Sequence, residues 1–417
     1  MVLAVTTIGT IFYSIIVFLL VIITLVGLLL FARDKLTPKG DVELQINDRK
    51  ITVSPGSNLL STSSSNNIFL PSACGGGGTC GMCKCQVIEG GGSILPTETG
   101  FFTRKEQLNY WRLGCQVKVR EPMKIKIPES ILGIKKWECE VVSNRNVSTF
   151  IKEFVVKLPE GEVLEFEPGG YIQIDVPHYE VKFSDFDIQE QFRTDWDYYK
   201  MWDLGIRNKT ETFRAYSMAN YPAEKNLIKL NIRIATPPWD NAKNKFMNVP
   251  PGICSSYIFS RKPGDKVIIS GPYGEFHIKN TDSEMIYIGG GAGMAPLRSH
   301  IFHLFKTLKT TRKVSYWYGA RSLREVFYED EFRAIEKEFP NFTFNLALSE
   351  PLPQDNWTGY KGFIHQVLYD NYLSKLDEPE DIEYYFCGPP MMNNAVVEML
   401  DNLGIPAENI SFDDFGI

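Results

Sequence analysis

Residues 72–85 read SACGGGGTCGMCKC, with four cysteines and five glycines in fourteen positions. Glycine at this density makes a poor helix or strand, because each residue adds backbone freedom and no side chain to pack. The stretch must be a loop held by something other than a hydrophobic core, and the thiols offer two ways of holding it. Disulfide frameworks belong to small, cysteine-dense secreted domains. Here eight cysteines are spread over 417 residues, with Cys115, Cys139, Cys254 and Cys387 far from the cluster. Clustered metal ligation on the reducing side of a membrane fits that distribution better.

A membrane is suggested by the other unusual segment. MVLAVTTIGTIFYSIIVFLLVIITLVGLLLFA carries no charged side chain before Arg33, and about 20 apolar residues suffice for a helix to cross the hydrocarbon core. A signal peptide would have a basic start, a shorter apolar run and a small-residue cleavage site. The expectation is a single-span anchor over 1–32. Arg33, Lys35 and Lys39 follow it, which places the rest of the chain in the cytoplasm. The remainder is of globular composition, 44% hydrophobic and 23% charged, and long enough for several domains. A net charge of -6 gives no basic face for a nucleic acid.

Three patterns follow the anchor. ELQI and KITV alternate around Asn47-Asp48 as two short strands, and CQVIE and CQVKV read as two more. The Ser/Asn run 61–67 is open to a weak helix or a loop, with composition alone favouring the loop, and Thr103 with Glu106 has capping-box spacing. From Trp137 to about Ser270, alternating runs such as YIQIDV and LIKLNIRI suggest an antiparallel barrel, interrupted at 178–212 by a charged, aromatic insertion. From Glu284, strands and helices alternate as in a parallel α/β sheet. The expected domains are 1–32, 33–130, 134–280 and 281–417.

Cys74, Cys80 and Cys83 are spaced C-x5-C-x2-C, and Cys115 follows in RLGCQ. Plant-type [2Fe–2S] loops have C-x4-C-x2-C with a distant fourth cysteine, so the first gap here is one residue longer. Four-cysteine zinc sites are the rival, though zinc ribbons show two C-x2-C pairs and this segment has one. The spacing favours iron and sulfur, with Cys85 as a small buried residue. YIGGGAGMAPLRS is a glycine turn between strand and helix, where a helix start can receive a dinucleotide phosphate. It is not G-x-G-x-x-G.

These motifs carry a family resemblance. LPSACGGGGTCGMCKC and RLGCQ resemble a ferredoxin domain of the β-grasp type. RAYSMAN (214–220) resembles the R-x-Y-S flavin signature of the ferredoxin–NADP reductase superfamily, and PPGICSSYIF its second flavin motif. The resemblance implies FAD with Tyr216 stacked on the ring, Ser217 near its N5 and Arg214 on the pyrophosphate. It also implies Gly252, Ser255 and Ser256 beside the phosphates. Gly290, Gly291 and Gly293, with Cys387, Gly388 and Pro389 of the C-G-P motif, would meet NADH, and Phe415 would lie near the flavin face. Arg321 and Arg324 near the second strand could meet a 2′-phosphate, which leaves NADPH open.

Anchor, ferredoxin, flavin and nicotinamide parts in this order, with the 178–212 insertion, resemble the F subunits of sodium-translocating NADH:quinone oxidoreductases. That family implies hydride transfer from NADH to FAD, single electrons through the cluster to partner subunits of a sodium-pumping complex, and quinone as the final acceptor. It also implies the bacterial inner membrane. A membrane-tethered oxygenase reductase uses the same three centres. A zinc-bearing membrane adaptor is the alternative of another class.

Overall fold

The computed structural model describes residues 2–36, 40–240 and 242–414. Lys39 and Phe415 lie outside the described residues. The chain divides into two compact units, 1–70 with 81–132, and 71–80 with 133–417.

The first unit begins with helix α1, Val2–Leu36. Its stretch Phe12–Ala32 has a mean hydropathy of 3.3 and no part buried against protein. At about 1.5 Å per residue that stretch covers the ~30 Å hydrocarbon thickness. Strands β1 (Val42–Ile46) and β2 (Arg49–Val53) form a hairpin whose turn places Asn47 at φ 51°, a conformation asparagine tolerates. Helix α2 (Leu59–Ser65) follows, then β3 (Lys84–Glu89), α3 (Arg104–Leu108), β4 (Trp111–Leu113), β5 (Met123–Lys126) and α4 (Glu129–Leu132). Among the described residues the sheet order is β2-β1-β5-β3-β4, with β1 and β5 parallel. This is the β-grasp arrangement. Leu44, Ile46, Leu59, Leu60, Val87, Leu113 and Ile125 are buried in it.

Two local expectations fail here. The Ser/Asn run is helical because Asn58 caps it, its side chain accepting from the Ser61 N–H at 2.8 Å, while Leu59 and Leu60 bury one face. CQVKV is a turn and a single bridge, Lys118 to Asn58, and the strand comes later, in β5. Tertiary burial of Val117 and Val119 produced the alternation that looked like a strand. The capping box at Thr103 and Glu106 is present.

The second unit opens with β6 (Lys135–Ser148), β7 (Ile151–Lys157) and β8 (Tyr171–Val176). The 178–212 insertion supplies β9 (Tyr179–Lys182), α5 (Glu190–Tyr198) and β10 (Gly205–Asn208), with β9 and β10 paired. Its aromatic residues enter the core: Phe183, Phe186, Phe192 and Trp196 pack with Ile174, Ile258 and Phe259. Strands β11 (Thr212–Ser217) and β12 (Leu227–Arg233) follow, then a small β13 (Trp239–Asp240) and β14 (Lys245–Phe246) pair, α6 (Ile253–Phe259) and β15 (Lys266–Tyr273). Among the described residues the large sheet runs β11-β8-β15-β6-β7-β12, and a bridge from Met218 to Leu230 brings its two edges together into a barrel.

The remaining elements are β16 (Met285–Gly290), α7 (Met294–Phe302), β17 (Val314–Ala320), α8 (Glu329–Glu338), β18 (Phe342–Leu348), β19 (Tyr360–Lys361), α9 (Ile364–Asn371), β20 (Glu383–Cys387), α10 (Pro390–Asn402) and β21 (Ile410–Asp413). The strands pair in parallel in the order β19-β18-β17-β16-β20-β21. Buried on both faces, β16 and β20 read as continuous apolar or aromatic runs.

Candidate active site

The cysteines stand as two pairs, one in each unit. In the second unit, the Cys80 thiol donates to Cys74 Sγ at 3.3 Å. That bond, with the backbone N–H groups of Thr79 and Cys80, pulls the Cys74 thiol down to about 3 against the opposing effect of burial. In the first unit, the Cys115 N–H points at Cys83 Sγ at 3.5 Å, and the Cys115 thiol together with burial pushes the Cys83 thiol up. Among the described residues no three metal-ligating side chains form a ready-made cage.

The donor set nevertheless suits an iron–sulfur cluster. No disulfide joins the cysteines among the described residues, and Gly75, Gly76, Gly78 and Gly81 take positive φ, which turns the backbone around them. Gly75 is also forced by contact. A Cβ there would fall 2.3 Å from Arg214 Nη1 and 2.5 Å from the Phe213 carbonyl, so the cysteine loop lies directly on β11. Cys85 is fully buried in β3, its thiol pushed up to about 12 by burial.

A buried ion pair holds the approach to Cys115. Arg112 Nε and Nη2 donate to Glu98 at 2.7–3.1 Å, and Glu98 accepts from the Leu113 N–H at 2.8 Å. Arg112 Nη1 donates to the Gly91 carbonyl at 2.7 Å. Every polar atom of the pair is thereby answered, which is the condition for tolerating charge in a core.

On the barrel, Arg214 and Tyr216 lie two apart on β11, both half-buried. Arg214 Nη1 donates to the Phe213 carbonyl and to Thr212 Oγ1 at 2.8 and 3.0 Å. Tyr216 packs against the buried barrel cluster that includes Cys254 of α6. At the start of α6, a Cβ on Gly252 would meet Ala235 Cβ at 2.6 Å, so the close approach expected of that glycine is to the protein itself. Ser255 Oγ accepts from the Ala235 N–H at 3.1 Å. Ser256 Oγ and Gln173 Nε2, the latter on the residue opposite Ala215, are buried without hydrogen-bond partners among the described residues. Orphaned polar atoms around the R-x-Y-S strand suit a group as polar as FAD.

The dinucleotide turn is finished by packing. A Cβ on Gly293 would lie 2.0 Å from the Cys387 carbonyl oxygen and 2.6 Å from the Gly388 nitrogen. Gly291 takes φ +56° and its Cβ position is nearly open. Gly290 and Gly388 face the flexible Met392, and Gly388-Pro389 leads into α10. Cys387 is fully buried at the end of β20, opposite Asp413 in the parallel register.

Sequence reasoning missed Asp413. Its carboxylate accepts from Ser217 Oγ at 2.7 Å, so it joins the flavin motif to the C-G-P strand. Burial pushes its acid up to about 6, against the stabilising Ser217 bond. The same burial, with Asp413 and Asp414 nearby, pushes the Cys387 thiol up. Only the DDFGI ending hinted at it, and there the aromatic drew the attention.

Family models match three stretches: a 2Fe-2S iron-sulfur cluster binding domain at 42–120, an oxidoreductase FAD-binding domain at 198–278 and an oxidoreductase NAD-binding domain at 287–398. The F subunit of the Na(+)-translocating NADH-quinone reductase in Klebsiella pneumoniae is 56% identical over 406 residues, which is 97% of this chain and 98% of the relative. Its counterpart in Pseudomonas aeruginosa is 54% identical over 407 residues, again 97% and 98%. The chain belongs to this family of F subunits. Among solved structures, the ferredoxin reductase in carbazole 1,9a-dioxygenase is 25% identical with a TM-score of 0.58, covering 90% of this chain and 98% of that one. The Amycolatopsis cytochrome P450 reductase GcoB, 21% identical, reaches 0.63 with the same coverage and shares the fold. In this family the cofactors are FAD and a [2Fe–2S] cluster, so the thiol set is read as iron-binding and the zinc alternative falls away.

Proposed function

We propose that the chain is the NADH-oxidising subunit of a sodium-translocating quinone reductase, with the net reaction NADH + H⁺ + ubiquinone → NAD⁺ + ubiquinol. The observation that carries this is identity of 54–56% with F-subunit relatives over 97% of the chain. When bound, FAD would supply a two-electron hydride acceptor and the [2Fe–2S] cluster a one-electron carrier, together a two-to-one converter.

The chain's own residues prepare each stage. Gly291 leaves the first βα turn open for a pyrophosphate to reach the backbone before α7, while Gly290 and Gly293 let that turn pack on Met392 and on the Cys387–Gly388 backbone. Tyr216 offers a flat apolar wall and Arg214 a planar cation for phosphate. Gly252, Ser255 and Ser256 line the start of α6 beside them. Ser217 presents its hydroxyl at the reacting edge, held there by Asp413. Cys387, with Gly388 and Pro389, closes the nicotinamide side. Cys74, Cys80, Cys83 and Cys115 ligate the iron.

The parts divide as an anchor at 1–32, a ferredoxin-type part at 33–130, an FAD part at 134–280 and an NADH part at 281–417. The anchor is a single pass through a bacterial inner membrane, with the remainder in the cytoplasm. Electrons leave to other membrane subunits, and the sodium path lies in those subunits. The test is NADH oxidation by native membranes with and without this chain, at low and high sodium. Loss of activity without the chain, and sodium stimulation when it is present, is the expected result. Sodium-insensitive oxidation would point to an oxygenase reductase with the same three centres.

A further inference from the structure

In doubly wound sheets the pyrophosphate sits at the first βα turn, and the adenosine ribose is read at the end of the neighbouring strand. An acidic side chain there takes a free 2′-hydroxyl, while an arginine takes a 2′-phosphate. In this chain the neighbouring strand is β17, and Arg321, Arg324 and Glu325 follow it. Two arginines at that place look like a welcome for a 2′-phosphate.

The insertion changes that reading. Arg324 Nη2 is 2.5 Å from Asp195 Oδ2, on α5. Its Nε lies 3.8 Å from Glu325, and Arg321 Nη2 lies 3.9 Å from the same carboxylate. Glu325 accepts from the Thr149 N–H at 3.2 Å and from the Thr149 hydroxyl, and that hydroxyl is 3.5 Å from Asp195. Asp195 does not swing freely. Its neighbour Trp196 is fully buried and donates through Nε1 to the Thr149 carbonyl at 2.9 Å, and Phe192 is buried one turn earlier. The barrel core thus fixes where the carboxylate stands.

We propose that Asp195 is a specificity-determining residue, by which the 178–212 insertion selects the dinucleotide. It occupies Arg324 and, with Glu325, sets two carboxylates where a 2′-phosphate would have to sit. A free 2′-hydroxyl is accepted there. A phosphate carrying up to about two negative charges is repelled and finds its arginine already engaged. The inference rests on the reading of NADH as reductant.

The test uses the full chain loaded with FAD. The ratio of kcat/KM for NADPH to that for NADH is measured in the parent, Asp195→Asn, Asp195→Ala and Asp195→Asn combined with Arg324→Ala. Calorimetry of ADP-ribose and 2′-phospho-ADP-ribose gives binding without turnover. Either single substitution should raise the ratio about tenfold or more, with a matching gain in affinity for the 2′-phosphorylated ligand that weakens in salt. The combined variant should lose that gain. Thermal melting identifies a variant that has failed to fold, and Asp195→Asn preserves the packing best. An unchanged ratio in a folded Asp195→Asn chain would overturn the inference and leave NADH oxidation standing. A gain that survives loss of Arg324 would overturn it too. A parent chain that does not oxidise NADH would instead bring down the functional reading beneath it.

Discussion

The cysteine loop and the dinucleotide turn are both glycine-rich, yet the fold finishes one and not the other. At the turn, Gly293 is pressed so closely on the Cys387–Gly388 backbone that a single methyl group has nowhere to go. In the loop, Gly77 leaves ordinary space, with Cys74 atoms 3.6–3.9 Å from its Cβ position, and the thiols pair off two by two. A site that binds a dissociable substrate must exist before the substrate arrives. A site for a resident cluster can leave its last bonds to the iron. At the turn Gly293 serves packing and Gly291 turning, while in the loop Gly75 does both and Gly77 meets only ordinary contacts.

The largest effect tests the loop. Cys115→Ala should abolish the electron paramagnetic resonance signal of the reduced cluster while FAD remains bound at parent stoichiometry. A normal cluster signal would remove Cys115 from the ligand set. Next comes the support behind that cysteine. Glu98→Ala strands the Arg112 guanidinium in the core, and breaking a buried pair from one side costs about 3–5 kcal/mol. Denaturant titration followed by cluster absorbance reads this directly. A midpoint unmoved by the substitution would mean that the pair does not hold the Cys115 approach.

The comparison sharpens with two alanine substitutions. Gly293→Ala drives a Cβ into backbone that cannot yield, so it should destabilise by about 1–3 kcal/mol and weaken NADH binding. Gly77→Ala, with space available and no positive φ, should stay within about 0.5 kcal/mol. Equal effects at the two positions would end the distinction between a turn finished by packing and a loop finished by iron.

How much was legible follows the same division. The parallel sheet was readable because β16, β17, β18 and β20 are rich in apolar and aromatic residues and alternate with helices. The barrel was readable from its alternation. Helix α2 was not, since serines and asparagines carry a turn signal and only the burial of Leu59 and Leu60 overrides it. The CQVKV segment misled for the converse reason: Val117 and Val119 alternate into a core without pairing as a strand. Cys74, Cys80 and Cys83 and the glycines of the turn lie close together in sequence, so their spacing alone could suggest a chemistry. Asp413 and Asp195 could not. Their partners, Ser217 and Arg324, lie 196 and 129 residues away, and nothing local marks a carboxylate that will be met by a remote strand or loop.

The pH-dependent effect concerns Asp413, and its sign follows from proton counting. An aspartate ordinarily titrates near 3.8, and this one near 6, raised chiefly by burial. Between those values the folded chain keeps a proton that the unfolded chain has released. Stability therefore falls as pH rises through the window, because the folded state binds more protons there. Above it the half-buried carboxylate stands charged, held by Ser217 alone among the hydrogen bonds identified. Asp413→Asn cannot titrate and can still accept from Ser217. Relative to the parent it should gain stability as pH rises from about 4 to 6 and hold a gain of ~1–2 kcal/mol above that. Melting temperatures of the two chains, taken from pH 4.5 to 7.5, measure this difference. A difference flat across the range would show that Asp413 titrates as an ordinary exposed acid, and its place between the flavin motif and the C-G-P strand would then carry no electrostatic strain. A difference that grows and levels off near pH 6 would identify a carboxylate kept at a cost in stability, which is what a group retained for chemistry at Ser217 should look like.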